Sequence, residues 1–197
     1  CIAIKRFIVV ADHYDTMREA VHERLCALQP GSPDDPATTL GPMARQDLRD
    51  ALHDQVQQSI ECGAALTLGG TIPDQAGWWY PPTMLENVAP GMPAFDEEMF
   101  GPVACLIRAS DDDHAIELAA STRYGLAGSV FTADPQRGEA IAVDQMPAGC
   151  VTVNDFTRSD PRVPFGGIHD SGFGRELAAS GLHEFMNLKS VVIADAH

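Results

Sequence analysis

Three clusters of residues have the types and spacing for covalent or ligand chemistry. The first is Cys1, which opens the segment Cys1-Ile2-Ala3-Ile4-Lys5-Arg6-Phe7. A thiol with an ordinary pKa of about 8.5 becomes a useful nucleophile where a positive field favours its thiolate. Lys5 and Arg6 stand close in sequence, but side chains alternate along a strand, so spacing alone does not say which of them faces the sulfur. The second cluster is Glu97-Glu98-Met99-Phe100-Gly101-Pro102. A carboxylate there can accept two hydroxyl hydrogen bonds from a ribose diol, and an aromatic ring can pack on a flat heterocycle. The competing reading is a solvated acidic turn with Phe100 anchored in the core. The third runs from Pro164-Phe165-Gly166-Gly167 to Ser171-Gly172-Phe173-Gly174-Arg175-Glu176, where the glycines allow tight turns and close backbone approach.

Other chemistries are excluded by what the spacing lacks. Gly172 and Gly174 begin a GxGxxG pattern, but its third position is Leu177, and no Walker motif occurs elsewhere. The chain has no phosphate cradle of its own. Asp111-Asp112-Asp113-His114 reads as a helix start rather than a metal cluster, because consecutive residues there point in different directions and acids favour the positive helix end. No histidine pair has metal-ligand spacing, so no metal is expected. A serine hydrolase would need a GxSxG elbow, which is missing.

Composition narrows the class further. Thirteen Lys and Arg against 28 Asp and Glu leave a net charge of −15, which repels a polyanion and argues against nucleic acid as a partner. Hydrophobic residues make up 45%, ordinary for a folded chain, yet no apolar run approaches the ~20 residues of a membrane span. Five scattered cysteines (1, 26, 62, 105 and 150) form no CxxC pair and leave one over, which favours a reducing compartment, the cytoplasm.

The elements that must position these clusters follow from periodicity. Strands are expected over 6–10, 65–68, 83–88, 103–108, 127–132 and 149–154. The first helix carries Asp12 as its N-cap and Met17, Val21, Leu25 and Leu28 on one side. The second spans about 45–61, with Leu48, Leu52, Val56 and Ile60 at four-residue spacing. Further helices are expected over about 112–121, 135–145 and 175–184, and a terminal strand over 189–194. Strands alternating with helices predict an α/β fold, a mainly parallel sheet with helices on both faces. Ligands of such sheets bind beyond the carboxyl ends of the strands, which directs attention to the loops after 103–108 and 151–154. Residues 1–186 are expected to form one domain, and 187–197 an oligomerisation strand and tail whose uncovered edge recruits a second copy.

Taken together, CIAIKRF, EEMFGPV, YGLAGSVFT, GCVTVN, PFGGIHDSGFGREL and GLHEFMNLKSV resemble, in order and over essentially the whole chain, the C-terminal catalytic part of the NAD(P)-dependent aldehyde dehydrogenase superfamily. CxAxKRF with GLHEFxNxKxV is most similar to its succinate-semialdehyde branch. The resemblance implies that Cys1 is the nucleophile, forming a thiohemiacetal and then a thioester with the aldehyde, with NAD or NADP taking the hydride. It places Glu98 on the nicotinamide ribose with Phe100 and Leu126 packed nearby. It sets Ser159 and Phe165 along the aldehyde funnel and makes Asn154 a brace of that loop. Arg158 and Arg162 lie on the same loop, where a guanidinium can pair with the distal carboxylate of an acidic aldehyde or simply be solvated. The Rossmann-type cofactor domain, the oxyanion-hole asparagine and the glutamate base of complete members precede the cysteine and are absent here. The 197 residues alone are therefore expected to bind no cofactor and to show no turnover. The readings set against this one are a noncatalytic protein-interaction domain and a CoA-acylating relative.

Overall fold

A computed structural model of the chain describes residues 2–195; Cys1, the expected nucleophile, lies outside them. The chain divides into two compact units, the first Ala3–Ser121 and the second taking up the chain from Thr122.

The first unit is built from β1 (Arg6–Val10), α1 (Ala11–Cys26), α2 (Gln46–Glu61), β2 (Ala65–Leu68), β3 (Thr83–Glu86), α3 (Pro93–Asp96), β4 (Val103–Ala109) and α4 (Asp112–Ala120). Its four strands form one sheet in the order β1-β4-β3-β2, with β1 and β3 parallel to the central β4 and β2 antiparallel at the edge. Strand β4 reads as a nearly continuous apolar run because both of its faces are covered. Val103, Cys105, Ile107 and Ala109 join Leu52 and Val56 of α2 and Leu118 of α4 in one core cluster. The alternate residues Ala104 and Leu106 join Tyr14, Val21 and Leu25 of α1 in the other. The period-2 alternation of a strand thus divides one sequence between two cores. Burial among these apolar neighbours pushes the Cys105 thiol up to about 12, so it is an inert core residue.

The second unit contains β5 (Tyr124–Gly125), β6 (Ala127–Val130), α5 (Pro135–Asp144), β7 (Cys150–Val153), β8 (Ile168–His169) and α6 (Ala178–His183). Strands β6 and β7 pair in parallel around the α5 crossover, and β5 pairs with β8 antiparallel. The parallel pairing and covering helices agree with the α/β expectation, although the strands hydrogen-bond in three separate sheets.

Several boundaries differ from the expectation for local reasons. The N-cap of α1 is Val10, with no side-chain bond, and Asp12 sits inside the first turn. β3 stops at Glu86 because Asn87 turns into the left-handed region at φ 56°. β7 stops at Val153 because Asn154, at φ 54°, leaves the strand in the same way. The last helix begins only at Ala178, after Leu177 takes φ 64°. Residues 189–194 form no strand, since no neighbouring chain segment offers them a hydrogen-bond ladder. Val192 and Ile193 lie almost fully exposed there, and Leu188 just before them is fully exposed. The helix-start reading of the acidic run holds: Asp111 accepts the His114 amide at 2.9 Å and caps α4. That amide holds the Asp111 carboxyl below its usual range.

Candidate active site

In the first unit the Glu97–Pro102 turn and the short α3 before it are held by α2 and by Lys5. Ser59 of α2 is fully buried; its hydroxyl donates to the Gln55 carbonyl (2.7 Å) and accepts the Ala94 amide (2.9 Å) at the start of α3. Lys5 donates from Nζ to the Phe95 carbonyl at 3.0 Å. Burial, and secondarily the neighbouring Arg6, push its ammonium down to about 8. Gln55 donates from Nε2 to Glu97 Oε2 at 2.8 Å and to the Glu98 carbonyl at 3.4 Å. The turn itself packs on α2, because a methyl group on Gly101 would run into Leu52.

That arrangement separates four adjacent residues into two that brace and two that are displayed. Glu97 is bonded and Met99 is buried, whereas Glu98 is exposed and Phe100 is 59% exposed. Met99, not Phe100, is the core anchor, so the reading that buried Phe100 is replaced. Among the described residues no side-chain hydrogen bond or ion pair reaches the Glu98 carboxylate. It is an open acceptor beside an open ring.

Arg6 closes the end of a helix. Its Nη1 donates to the Leu118 carbonyl (2.9 Å) and the Ser121 carbonyl (3.3 Å), and its Nη2 to the Ala119 carbonyl (3.0 Å). These are the orphan carbonyls at the end of α4. The guanidinium also lies 4.9 Å from the Phe95 ring centre, so Arg6 of β1, like Lys5 just before it, is fastened to α3.

In the second unit the loop after β7 starts with a brace. The Asn154 amide accepts from the Thr132 N–H (2.8 Å) and donates to the Thr132 carbonyl (2.9 Å), replacing the next rung of the β6–β7 ladder. Thr152 donates to the Asp155 carbonyl at 2.7 Å. Beyond it the two arginines are already engaged by carboxylates. Arg158 gives Nη2 to Asp155 at 2.5 Å, while Arg162 forks both Nε and Nη2 onto Asp160. The Phe156 amide and then Arg158 hold the Asp155 carboxyl below its usual range, and Arg162 does the same to Asp160. Ser159, between them, is exposed. Phe165 is buried and its backbone pairs both ways with Glu176, which closes the glycine-rich loop. Gly149 and Gly166 touch so closely that a side chain on Gly149 would overlap the Gly166 carbonyl. Leu126, just before β6, is half-buried, and its carbonyl accepts the Cys150 amide at 3.1 Å.

Sequence reasoning missed Gln55, Ser59 and the Lys5 contact. Their only signal was that Gln55 and Ser59 stand four apart beside the buried Leu52 and Val56 of α2. Among the described residues no group of three or more His, Cys, Asp or Glu could hold a metal ion. No helix of the described residues is long and apolar enough to cross a membrane.

Comparison with known proteins supplies the lineage. A succinate semialdehyde dehydrogenase [NAD(P)+], Sad, of Escherichia coli K12 is 47% identical over 191 residues, 97% of this chain and 41% of that protein. A succinate-semialdehyde dehydrogenase [NADP(+)] 1 of Mycobacterium tuberculosis H37Rv is 43% identical over 98% of this chain and 42% of its own length. Among solved structures, succinic semialdehyde dehydrogenase from Streptococcus pyogenes in complex with NADP+ matches at a TM-score of 0.94 and 33% identity, covering 99% of this chain and 43% of that one. Mycobacterium tuberculosis aldehyde dehydrogenase complexed with NAD+ matches at 0.92 and 35% identity, over 98% and 40%. The chain spans about two fifths of the length of these relatives. The sequence model described as the aldehyde dehydrogenase family matches residues 1–191, and the chain belongs to that family.

Proposed function

We propose that the chain is the catalytic portion of an NAD(P)-dependent aldehyde dehydrogenase acting on succinate semialdehyde. The observation that carries the reading is the Glu97–Pro102 turn, which engages Glu97 and Met99 while leaving the Glu98 carboxylate and the Phe100 ring open. An acceptor pair beside an aromatic face suits a ribose diol next to a flat heterocycle. Glu98 and Phe100, with Leu126, would hold the nicotinamide end of the cofactor. When bound, that cofactor supplies the hydride acceptor.

The Cys1 thiolate adds to the aldehyde carbon, forming a C–S bond and a thiohemiacetal. Loss of hydride from its carbon and of the proton from its hydroxyl leaves a thioester, and water cleaves it to the free acid and the thiol. Ser159 and Phe165 line the approach, and Arg158 receives the distal carboxylate. Of the two arginines, Arg158 is the better donor, because it spends one N–H on Asp155 whereas Arg162 is forked onto Asp160. Residues 1–186 form the catalytic domain in this reading. The exposed apolar tail, with Leu188 and Val191 to Ile193, pairs with a second copy. The free thiols Cys26, Cys62, Cys105 and Cys150 suit a reducing compartment such as the cytoplasm.

The test is aldehyde-dependent NAD(P)H formation by the full-length polypeptide carrying this segment. Succinate semialdehyde is expected to be oxidised, Cys1→Ser to abolish turnover, and the 197 residues alone to give none. Failure of the full-length protein to reduce either nucleotide overturns the reading.

A further inference from the structure

We infer that Gln55 is a positioning residue for cofactor binding, which decides that Glu98 rather than Glu97 presents its carboxylate to the ribose; this rests on the function proposed above. Two adjacent glutamates on an exposed turn are chemically equivalent, so something outside the turn must distinguish them. Gln55 does so with a single amide. One N–H occupies the Glu97 carboxylate at 2.8 Å and the same nitrogen reaches the Glu98 carbonyl at 3.4 Å. The first contact removes Glu97 from competition, and the second fixes the peptide from which the Glu98 side chain departs.

Gln55 is itself held on a rigid support. It stands in the middle of α2 between the buried Leu52 and Val56, and its carbonyl accepts the Ser59 hydroxyl that also takes the Ala94 amide. One helical turn therefore fixes both the start of α3 and the acidic turn that follows it. A side chain that places a ligand-binding carboxylate acts through distances of an ångström or less, and such displacements can cost a large factor in rate.

The experiment compares four full-length proteins: wild type, Gln55→Leu, Gln55→Glu, and Gln55→Glu combined with Glu97→Gln. Gln55→Leu is expected to lower kcat/KM for NAD(P) by about 10-fold while KM for the aldehyde stays within about twofold. Gln55→Glu sets two carboxylates against each other and is expected to lower it further. The double variant exchanges donor and acceptor and rebuilds the contact at position 97 but not the one to the Glu98 carbonyl, so it is expected to recover at least about threefold over Gln55→Glu while staying below wild type. A structural disturbance alone would not be repaired by that exchange. If wild type turns over and Gln55→Leu matches it, or if the double variant does no better than Gln55→Glu, the inference falls alone. If the wild-type protein neither binds nucleotide nor oxidises aldehyde, the parent reading falls and takes this one with it.

Discussion

Replacing Arg6 by Met removes the cation that closes the end of α4. The side chain makes three bonds, to the carbonyls of Leu118 (2.9 Å), Ala119 (3.0 Å) and Ser121 (3.3 Å). Ser121 is exposed and water replaces that partner readily, so two charge-assisted bonds at about 1.5–3 kcal/mol each carry the effect. Packing over the Phe95 ring adds roughly 0.5–1 kcal/mol. Against this, burial depresses the proton affinity of Arg6, which means its charge is held at a desolvation cost that Met avoids. The balance is a loss of about 2–4 kcal/mol. Both tryptophans, Trp78 and Trp79, belong to Ala3–Ser121, so their fluorescence during urea unfolding reports that unit alone. With a slope of about 2 kcal/mol per molar urea, the midpoint should fall by roughly 1–2 M. Arg6→Lys, which brings a single ammonium to one carbonyl, should recover about half of the loss. A midpoint for Arg6→Met within about 0.2 M of wild type would refute the assignment.

Asn154→Ala removes both bonds to Thr132 and puts at φ 54° a residue that tolerates left-handed backbone less well than asparagine, so the Thr132 amide should exchange with solvent hydrogen about 10- to 100-fold faster. Asn154→Gly relieves only the backbone strain and should exchange nearly as fast; unchanged protection in both would show that the brace is idle. Lys5 titrates near 8 in the folded chain against 10.5 when unperturbed, so between those values the unfolded state binds more protons and stability rises with pH. The half-exposed ammonium is screened by solvent, which limits the increment to about 1 kcal/mol. Lys5→Met should lack that increment when urea midpoints at pH 7.5 and 10 are compared; parallel behaviour of the two proteins would count against it.

The elements whose cause is local were legible in the sequence. The apolar run of β4 and the four-residue spacing of α2 announce themselves because burial on both faces, or on one helical face, leaves a periodic trace. Strand ends were less legible, since an extended pattern continues through Asn87 and Asn154 although both adopt left-handed backbone. The side chain that anchors the acidic turn was misread for a different reason. Met99 and Phe100 are both apolar, and only the packing of the turn on α2 decides which is buried. The tethers Gln55 to Glu97 and Arg6 to Leu118 join residues 42 and 112 apart in sequence, and such contacts leave no periodic mark. The apolar alternation over 189–194 favours a strand, yet a strand exists only where a partner completes its ladder.

The register of β1 against β4 sets Arg6 beside Cys105. A ribosome adding about 5–20 residues per second delivers the partner of β1 roughly 5–20 s after β1 itself has been made. During that interval β1 has no rung from β4 to hold, and its apolar residues wait for the strand that will cover them. Closing so long a loop comes late in any ordering of events, and assembly of this sheet waits on the arrival of its central strand.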